Sequence, residues 1–311
     1  MAEKDTGWDF HMFSPSPVYL MRRRVVDVVM RGLLFLAASV SVLVTLGIVY
    51  VLLSESLAFF AHVPVFEFLT DTQWTPLFAQ TRYGILPLLS GTIVAAGIAM
   101  LVAVPAGTVL AIYLSEYAPP RVREVVKPLL ELLEGVPTVV YGYFALLFVT
   151  PLLSTFLPVR GFNLLAPGLV MGIMILPYVT SVSEDAMRAV PRHLREGAYA
   201  LGFSRLQTSL RVVVPAAFSG ITAAYILGMS RAVGETMVVA IAAGQNPNLT
   251  FNPLESAATI TAYIVQVSLG DVPHGSIAYQ TIFAAGLVLF LITLAFNIIG
   301  FFLRRKFREV Y

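Results

Sequence analysis

The chain has 311 residues, 58% of them hydrophobic and 12% charged, with a mean hydropathy of +0.82 and a formal net charge of +2. A soluble domain carries about 25% charged residues, so the composition excludes an ordinary soluble enzyme and points to an all-α integral membrane protein. With no cysteine there is no disulfide or thiolate metal site. None of the three lysines (Lys4, Lys127, Lys306) stands in a G-x-x-x-x-G-K-S/T loop, so the chain is not its own ATPase.

Residues 1–28 are expected to be a cytoplasmic tail, polar and then basic at Arg22, Arg23 and Arg24. The first 20 residues, with Pro15 and Pro17 and no early apolar run, do not read as a secretory signal. Residues 29–311 read as one transmembrane domain of six spans. The first runs from about Gly32 to Leu53, enough to cross ~30 Å of hydrocarbon as a helix. An acidic external segment, 54–82, comes next; its Trp74 and phenylalanines suit the membrane interface. The second span runs from about Ile85 to Tyr117, kinked at Pro105 and ended by Pro119 and Pro120.

The third span, about Leu129 to Leu153, has Glu131 and Glu134 near its start, then Gly135-Val136-Pro137. Negative charge suits a helix N-terminus, so the two glutamates are either structural, a gate, or partners of Arg231. The fourth span covers about Leu164 to Val182, the fifth about Ala216 to Ala243 and the sixth about Thr281 to Leu303. Between the last two, the external segment 244–280 holds no lysine or arginine, and Pro253–Leu269 reads as a short external amphipathic helix. With the N-terminus inside, 17 of the 20 basic residues fall on the inner side, which places both termini and the loop 183–215 in the cytoplasm. The two halves carry no matched broken helices, unlike carriers built from inverted repeats.

The loop reads E-G-A-Y-A-L-G-F-S-R-L-Q-T-S-L-R-V-V-V-P over 196–215. Pro191 suits the first position of a helix, Gly202 the left-handed residue that ends it. Ser204 with Gln207 forms a capping box that starts a second helix, and Pro215 breaks or kinks the chain as it enters the fifth span. Helix–bend–helix between two spans is a docking knob or an ordinary amphipathic loop.

In the fifth span, G-M-S-R-A-V-G-E-T-M places Arg231 and Glu235 four residues apart, on one face of a continuous helix. A charge at mid-membrane costs at least about 2.5 kcal/mol. Either the two form an ion pair that holds the bundle, or Arg231 offers paired N–H donors to a passing oxyanion while Glu235 balances its charge. Ser230 and Thr236 add hydroxyls, or simply bond back to their own helix. Gly135, Gly142, Gly220, Gly228 and Gly234, with Pro137, thin the third and fifth spans for close packing or for a hinge. His11, His62, His193 and His274 show no metal-ligand spacing, and no nucleophile accompanies the carboxylates.

The loop resembles the EAA loop of ABC-importer permeases, with Glu196, Gly197, Ala198, Gly202, Val212, Val214 and Pro215 on the motif positions. Gly197 replaces the first alanine, and valines replace the Ile and Leu before Pro215. A-I-Y-L-S-E-Y-A-P-P, L-L-E-L-L-E-G-V-P-T-V-V-Y-G, T-S-V-S-E-D-A-M-R-A-V-P and R-A-V-G-E-T-M resemble Pst-type phosphate permeases, and G-E-T-M-V-V with the acidic segment resembles their C-type subunit.

The resemblance implies a type I ABC-importer permease in the plasma membrane of a bacterium or archaeon. It implies an A-type permease partner, two ATP-binding subunits that hold ATP and Mg, and an external phosphate-binding protein. It also places Arg231 and Glu235 on the phosphate path. No cofactor on this chain and no nucleic-acid partner are expected. The rival readings are a permease for molybdate or sulfate, an ATP-independent channel or carrier, and a signalling anchor that transports nothing.

Overall fold

A computed structural model describes residues 17–159 and 161–306. The expectations placed on the tail before Pro17, and on Arg160 and Arg308, lie outside the described residues. The chain divides into two units, residues 1–53 and 54–311. Helix α1 (Pro17–Phe60), most of which lies in the first unit, begins well before the expected span and takes in the arginine triplet. The same helix continues to Phe60, so the start of the expected external segment is helical.

The second unit is helical among the described residues, apart from one isolated bridge between Trp74 and Tyr83. After α1 come α2 (Val65–Thr70) and α3 (Leu86–Ile112), the latter extended by a π turn at Tyr113–Tyr117. Next are α4 (Pro120–Gly135), α5 (Thr138–Phe144), a π turn (Ala145–Val149), α6 (Thr150–Ser154) and α7 (Leu165–Arg188). The loop holds α8 (Arg192–Ala200), α9 (Arg205–Thr208), a π turn (Ser209–Val213) and α10 (Val214–Ala216). Last are α11 (Phe218–Gly234), α12 (Met237–Ala242), α13 (Ile260–Ser268) and α14 (Ile277–Lys306). Among the described residues four helices are long and apolar enough to cross a membrane, or up to six spans if each of two bent pairs is one span.

The bends correct the expected spans. The third span is not straight: α4 meets the α5–α6 segment at 86°. Val136 is extended and Pro137 comes directly after it, so the helix cannot continue. Glu131 and Glu134 therefore sit in the last turns of α4, not at a helix N-terminus, and the dipole argument for them fails. The fifth span bends by 72° at Ala217, two residues after Pro215, and breaks again at Glu235.

The most extensive helix–helix packing lies between α3 and α7. Gly168 and Gly172 form a G-x-x-x-G step facing Ile98 and Val102, and a methyl group at Gly172 would come within 2.6 Å of Val102 Cβ. On α3, Ala95, Ala99 and Ala103 are fully buried at the same four-residue spacing. Of the glycines singled out from sequence, Gly142, Gly220 and Gly228 do meet neighbours closely, while Gly135 and Gly234 have open space around them and mark breaks instead.

Of the aromatics of the first external segment, Phe66 and Phe78 are exposed, but the others turn inward. Phe59, Phe68 and Trp74 are buried edge-to-face against one another, and Trp74 packs on Tyr263 of α13. That helix starts only at Ile260, where Thr259 accepts a hydrogen bond from the Ala262 amide. Ile260, Tyr263 and Val267 point into the core, so it is a buried plug rather than a surface amphipathic helix.

Candidate functional site

Three elements bring polar groups together inside the bundle: α4, α7 and α11. The Arg231 guanidinium lies over the Tyr178 ring, 4.6 Å from its centroid, and Nη1 donates to the Tyr178 hydroxyl at 3.3 Å. The Glu134 carboxylate lies on the same side, near that hydroxyl. Tyr178 is thus a shared neighbour of Glu134 and Arg231, two residues 97 positions apart whose pairing the sequence left as one alternative. Arg231 Nε and Ser230 Oγ are buried without a hydrogen-bond partner. Glu131 is exposed on α4 and stands apart from this group.

Arg231 and Glu235 do not share a helical face. The helix ends at Gly234, and Glu235 is extended, with ψ 135°. Among the described residues no ion pair joins them. Each charge is instead complemented by a helix end. Arg231 occupies the last turn of α11, the negative end of its dipole. Glu235, 9% exposed, turns Oε1 onto the amides of Met237 and Val238 at 3.1 and 3.4 Å, satisfying the first donors of α12. Its own carbonyl accepts from Thr261 Oγ1 at 2.7 Å, which fastens the break to α13. Thr236 bonds back to the Gly234 carbonyl. The ion pair, one of the two readings of this pair, is absent among the described residues because the unwound residue redirects the carboxylate.

The loop residues form the expected helix–bend–helix. Gly202 is left-handed, φ +80°, and its amide bonds the Tyr199 carbonyl while that of Phe203 bonds Ala198, a complete Schellman end to α8. Ser204 and Gln207 make both bonds of the capping box. Pro191 precedes the first turn of α8 as its N-cap rather than opening it. Ala198 is buried, Glu196 and Gly197 are exposed, and the space around Gly197 would admit an alanine. Of the apolar residues before Pro215, the buried one is Val213, against Ala111, Met187 and Ile221, not its two neighbours on the motif positions.

Sequence reasoning missed the charges that hold this loop. Glu116 sits in the π turn after α3, where the extra residue per turn re-aims side chains. Its carboxylate takes Nε and Nη2 of Arg195, the latter at 2.9 Å, and Arg195 also donates to the Val190 and Met187 carbonyls. On α7, Glu184 is 1% exposed and meets Arg123 Nε at 2.8 Å, Lys127 Nζ at 3.1 Å and Arg188 at 3.7 Å. Lys127 also reaches Asp185 at 2.9 Å. Burial alone would lower the Lys127 pKa, but its hydrogen bonds to Asp185 and Glu184 outweigh burial and raise it above the ordinary amine value. The available signal at Glu116 was an acid at the end of an apolar run; Glu184, in S-V-S-E-D-A-M-R, carried none. Among the described residues no three His, Asp or Glu side chains are grouped to hold a metal.

Against known proteins, residues 103–309 match the family described as binding-protein-dependent transport system inner membrane component. The Bacillus subtilis protein YqgH, named a probable ABC transporter permease protein, is 38% identical over 280 residues, covering 88% of each chain. The phosphate transport system permease protein PstC of Mesorhizobium japonicum is 33% identical, covering 83% of this chain and 84% of its own. Among solved structures, a chain of a bacterial ABC transporter that imports alginate superposes with a TM-score of 0.61 at 17% identity, over 92% of this chain and all of that one. At that identity the likeness speaks for the fold alone.

Proposed function

This chain belongs to the binding-protein-dependent transport system inner membrane components, as a PstC-like ABC-importer permease, and from that premise we propose that it carries inorganic phosphate into the cytoplasm. The observation that carries the reading is Arg231, a permanent cation inside the bundle with a buried Nε that no described residue satisfies. A guanidinium presents a planar fork of N–H donors that fits a tetrahedral oxyanion. The Tyr178 ring and hydroxyl hold that fork in place, and the nearby Glu134 carboxylate balances part of its charge. An arriving phosphate takes the donors left open and competes with this weak balance. Glu235 keeps the α11–α12 break fixed, and Ser230 offers its hydroxyl beside the guanidinium.

Movement is driven from the loop 196–215. Two ATP-binding subunits, carrying ATP and Mg, dock on this loop and on that of an A-type permease partner. Closure of the ATPase pair moves α8, and the Arg195–Glu116 clamp passes that motion to the end of the second span. The spans open outward to an external phosphate-binding protein and return inward after hydrolysis. The membrane is the plasma membrane of a bacterium or archaeon. Arg231 fits molybdate or sulfate equally well, so the binding protein selects the anion.

The test is ATP hydrolysis by the four-subunit complex in lipid, with binding protein empty, loaded with phosphate or loaded with sulfate. Stimulation by the phosphate-loaded protein alone is the expected result. Stimulation by the sulfate-loaded form keeps the architecture and overturns phosphate. Phosphate flux without any ATPase activity overturns the importer.

A further inference from the structure

A surface cavity of about 450 Å³ opens where the second span ends and the coupling helix α8 begins. Its volume falls within the ~300–1,000 Å³ of ordinary small-molecule sites. Five arginines line it against two glutamates, a formal excess of three positive charges. Two of the five are already committed: Arg195 to Glu116 and two carbonyls, Arg123 to Glu184. Arg188 reaches Glu184 only at 3.7 Å. Arg192 has no ion pair among the described residues, and Arg205 only faces the Tyr117 ring at 4.9 Å. Helices α4 and α8 both begin at the wall, at Pro120 and Arg192, with no side-chain cap and no acidic residue in the first turn. Glu124 is the one lining acid outside the Arg195 clamp.

We propose that this cavity binds a phosphate group, and that α8 is thereby tied to an anion at the membrane surface. Guanidinium groups chelate phosphate oxygens in pairs, and basic pockets between membrane helices take anionic headgroups. The position favours a lipid. Val125, Leu129 and Leu132 form an exposed apolar stripe along α4, while Arg123 and Lys127 of the same helix turn to α7. A helix of that pattern lies in the interfacial plane, which puts the cavity beside the lipid phosphates. Free inorganic phosphate has the same chemistry and would report its concentration to the coupling helix.

The experiment uses the four-subunit complex in nanodiscs of phosphatidylcholine, alone or with one-fifth phosphatidylglycerol, and in phosphatidylcholine discs with added inorganic phosphate. Native mass spectrometry counts bound phosphatidylglycerol, and phosphorus NMR follows inorganic phosphate. The variants are Arg192→Gln with Arg205→Gln, and Arg192→Lys with Arg205→Lys. Expected is binding of phosphatidylglycerol that weakens about tenfold or more in the glutamine pair and less in the lysine pair, which keeps charge but loses the fork. Saturable binding of inorganic phosphate alone, with the same variant dependence, keeps the site and makes free phosphate its ligand. Binding indifferent to both variants, or no binding of either ligand, overturns the proposal. Binding seen only when the ATP-binding subunits are stripped away also overturns it, since the cavity is then their docking surface. Every arm reads binding directly, so the outcome is separate from whether the complex transports phosphate.

Discussion

The molecule has two charged clusters, and they are built on opposite rules. At the loop end, Glu184 is almost fully buried and meets three cations, while Glu116 and Arg195 share a clamp closed by two carbonyls. Inside the bundle, Arg231 has one weak hydrogen bond, a ring face and a donor with no partner. At the loop end every buried acid has a cation beside it, although Arg123 Nε and Glu184 Oε1 make no hydrogen bond, whereas inside the bundle no carboxylate among the described residues forms an ion pair with Arg231. Charge pairing suits a structural joint, and the unpaired cation suits the transport path proposed above. An acid matched to cations holds helices in place. A cation left short of partners keeps its affinity for something that passes.

If that contrast is right, variants of the loop-end cluster damage assembly and variants of the bundle cluster damage flux. The largest effect on stability is expected from Glu184→Ala, which leaves Arg123 and Lys127 facing an empty site. Losing one side of a buried pair costs about 3 kcal/mol, read as a fall in melting temperature and in yield of the assembled complex. Gly202→Ala comes next, because a side chain at φ +80° costs about 1–2 kcal/mol. Local melting of α8 and reduced ATPase stimulation are its readouts, with Gly197→Ala, where space is open, as the neutral control.

Tyr178→Phe keeps the ring under Arg231 and removes only the hydroxyl. We expect unchanged assembly, a stability change of about 1 kcal/mol or less, and a severalfold change in uptake. A variant that fails to assemble would erase the distinction between the clusters. The smallest effect is in pH. The folded pKa of Lys127 is raised, so its contribution is complete below the unfolded value of about 10.4 and disappears as pH rises through the folded value above it. Melting temperature should be flat near neutrality and fall in alkali, with the alkaline fall reduced in Lys127→Met.

Legibility in the sequence tracks the range of the interactions. The Schellman end at Gly202 and the Ser204–Gln207 box are set by residues within five positions, and both stand as expected. The break at Glu235 was not legible: apolar periodicity continues through M-V-V-A-I, with no proline to interrupt it. One cause is tertiary, the Thr261 hydroxyl on the Glu235 carbonyl; the other, the Glu235 carboxylate on the Met237 and Val238 amides, is local but lies inside an apolar run that hides it. The bend at Pro137 was visible in Val136-Pro137 yet hidden inside an apolar run of span length. Neither Glu184 with Lys127 nor Glu116 with Arg195 was found, since each pair is separated by more than fifty residues. Arg231 was legible because charge in an apolar segment is costly wherever its partners lie.

The most direct test is phosphate uptake by Arg231→Gln in vesicles carrying the four-subunit complex, with ATP and Mg supplied and phosphate-loaded binding protein outside. The substitution removes a charge and the paired donors, so uptake should fall about 100-fold, as for a loss near 3 kcal/mol. Assembly and melting temperature should stay near wild type. Uptake that persists, or a complex that falls apart, would contradict a transport role for Arg231 and return it to the class of residues that only hold the bundle together.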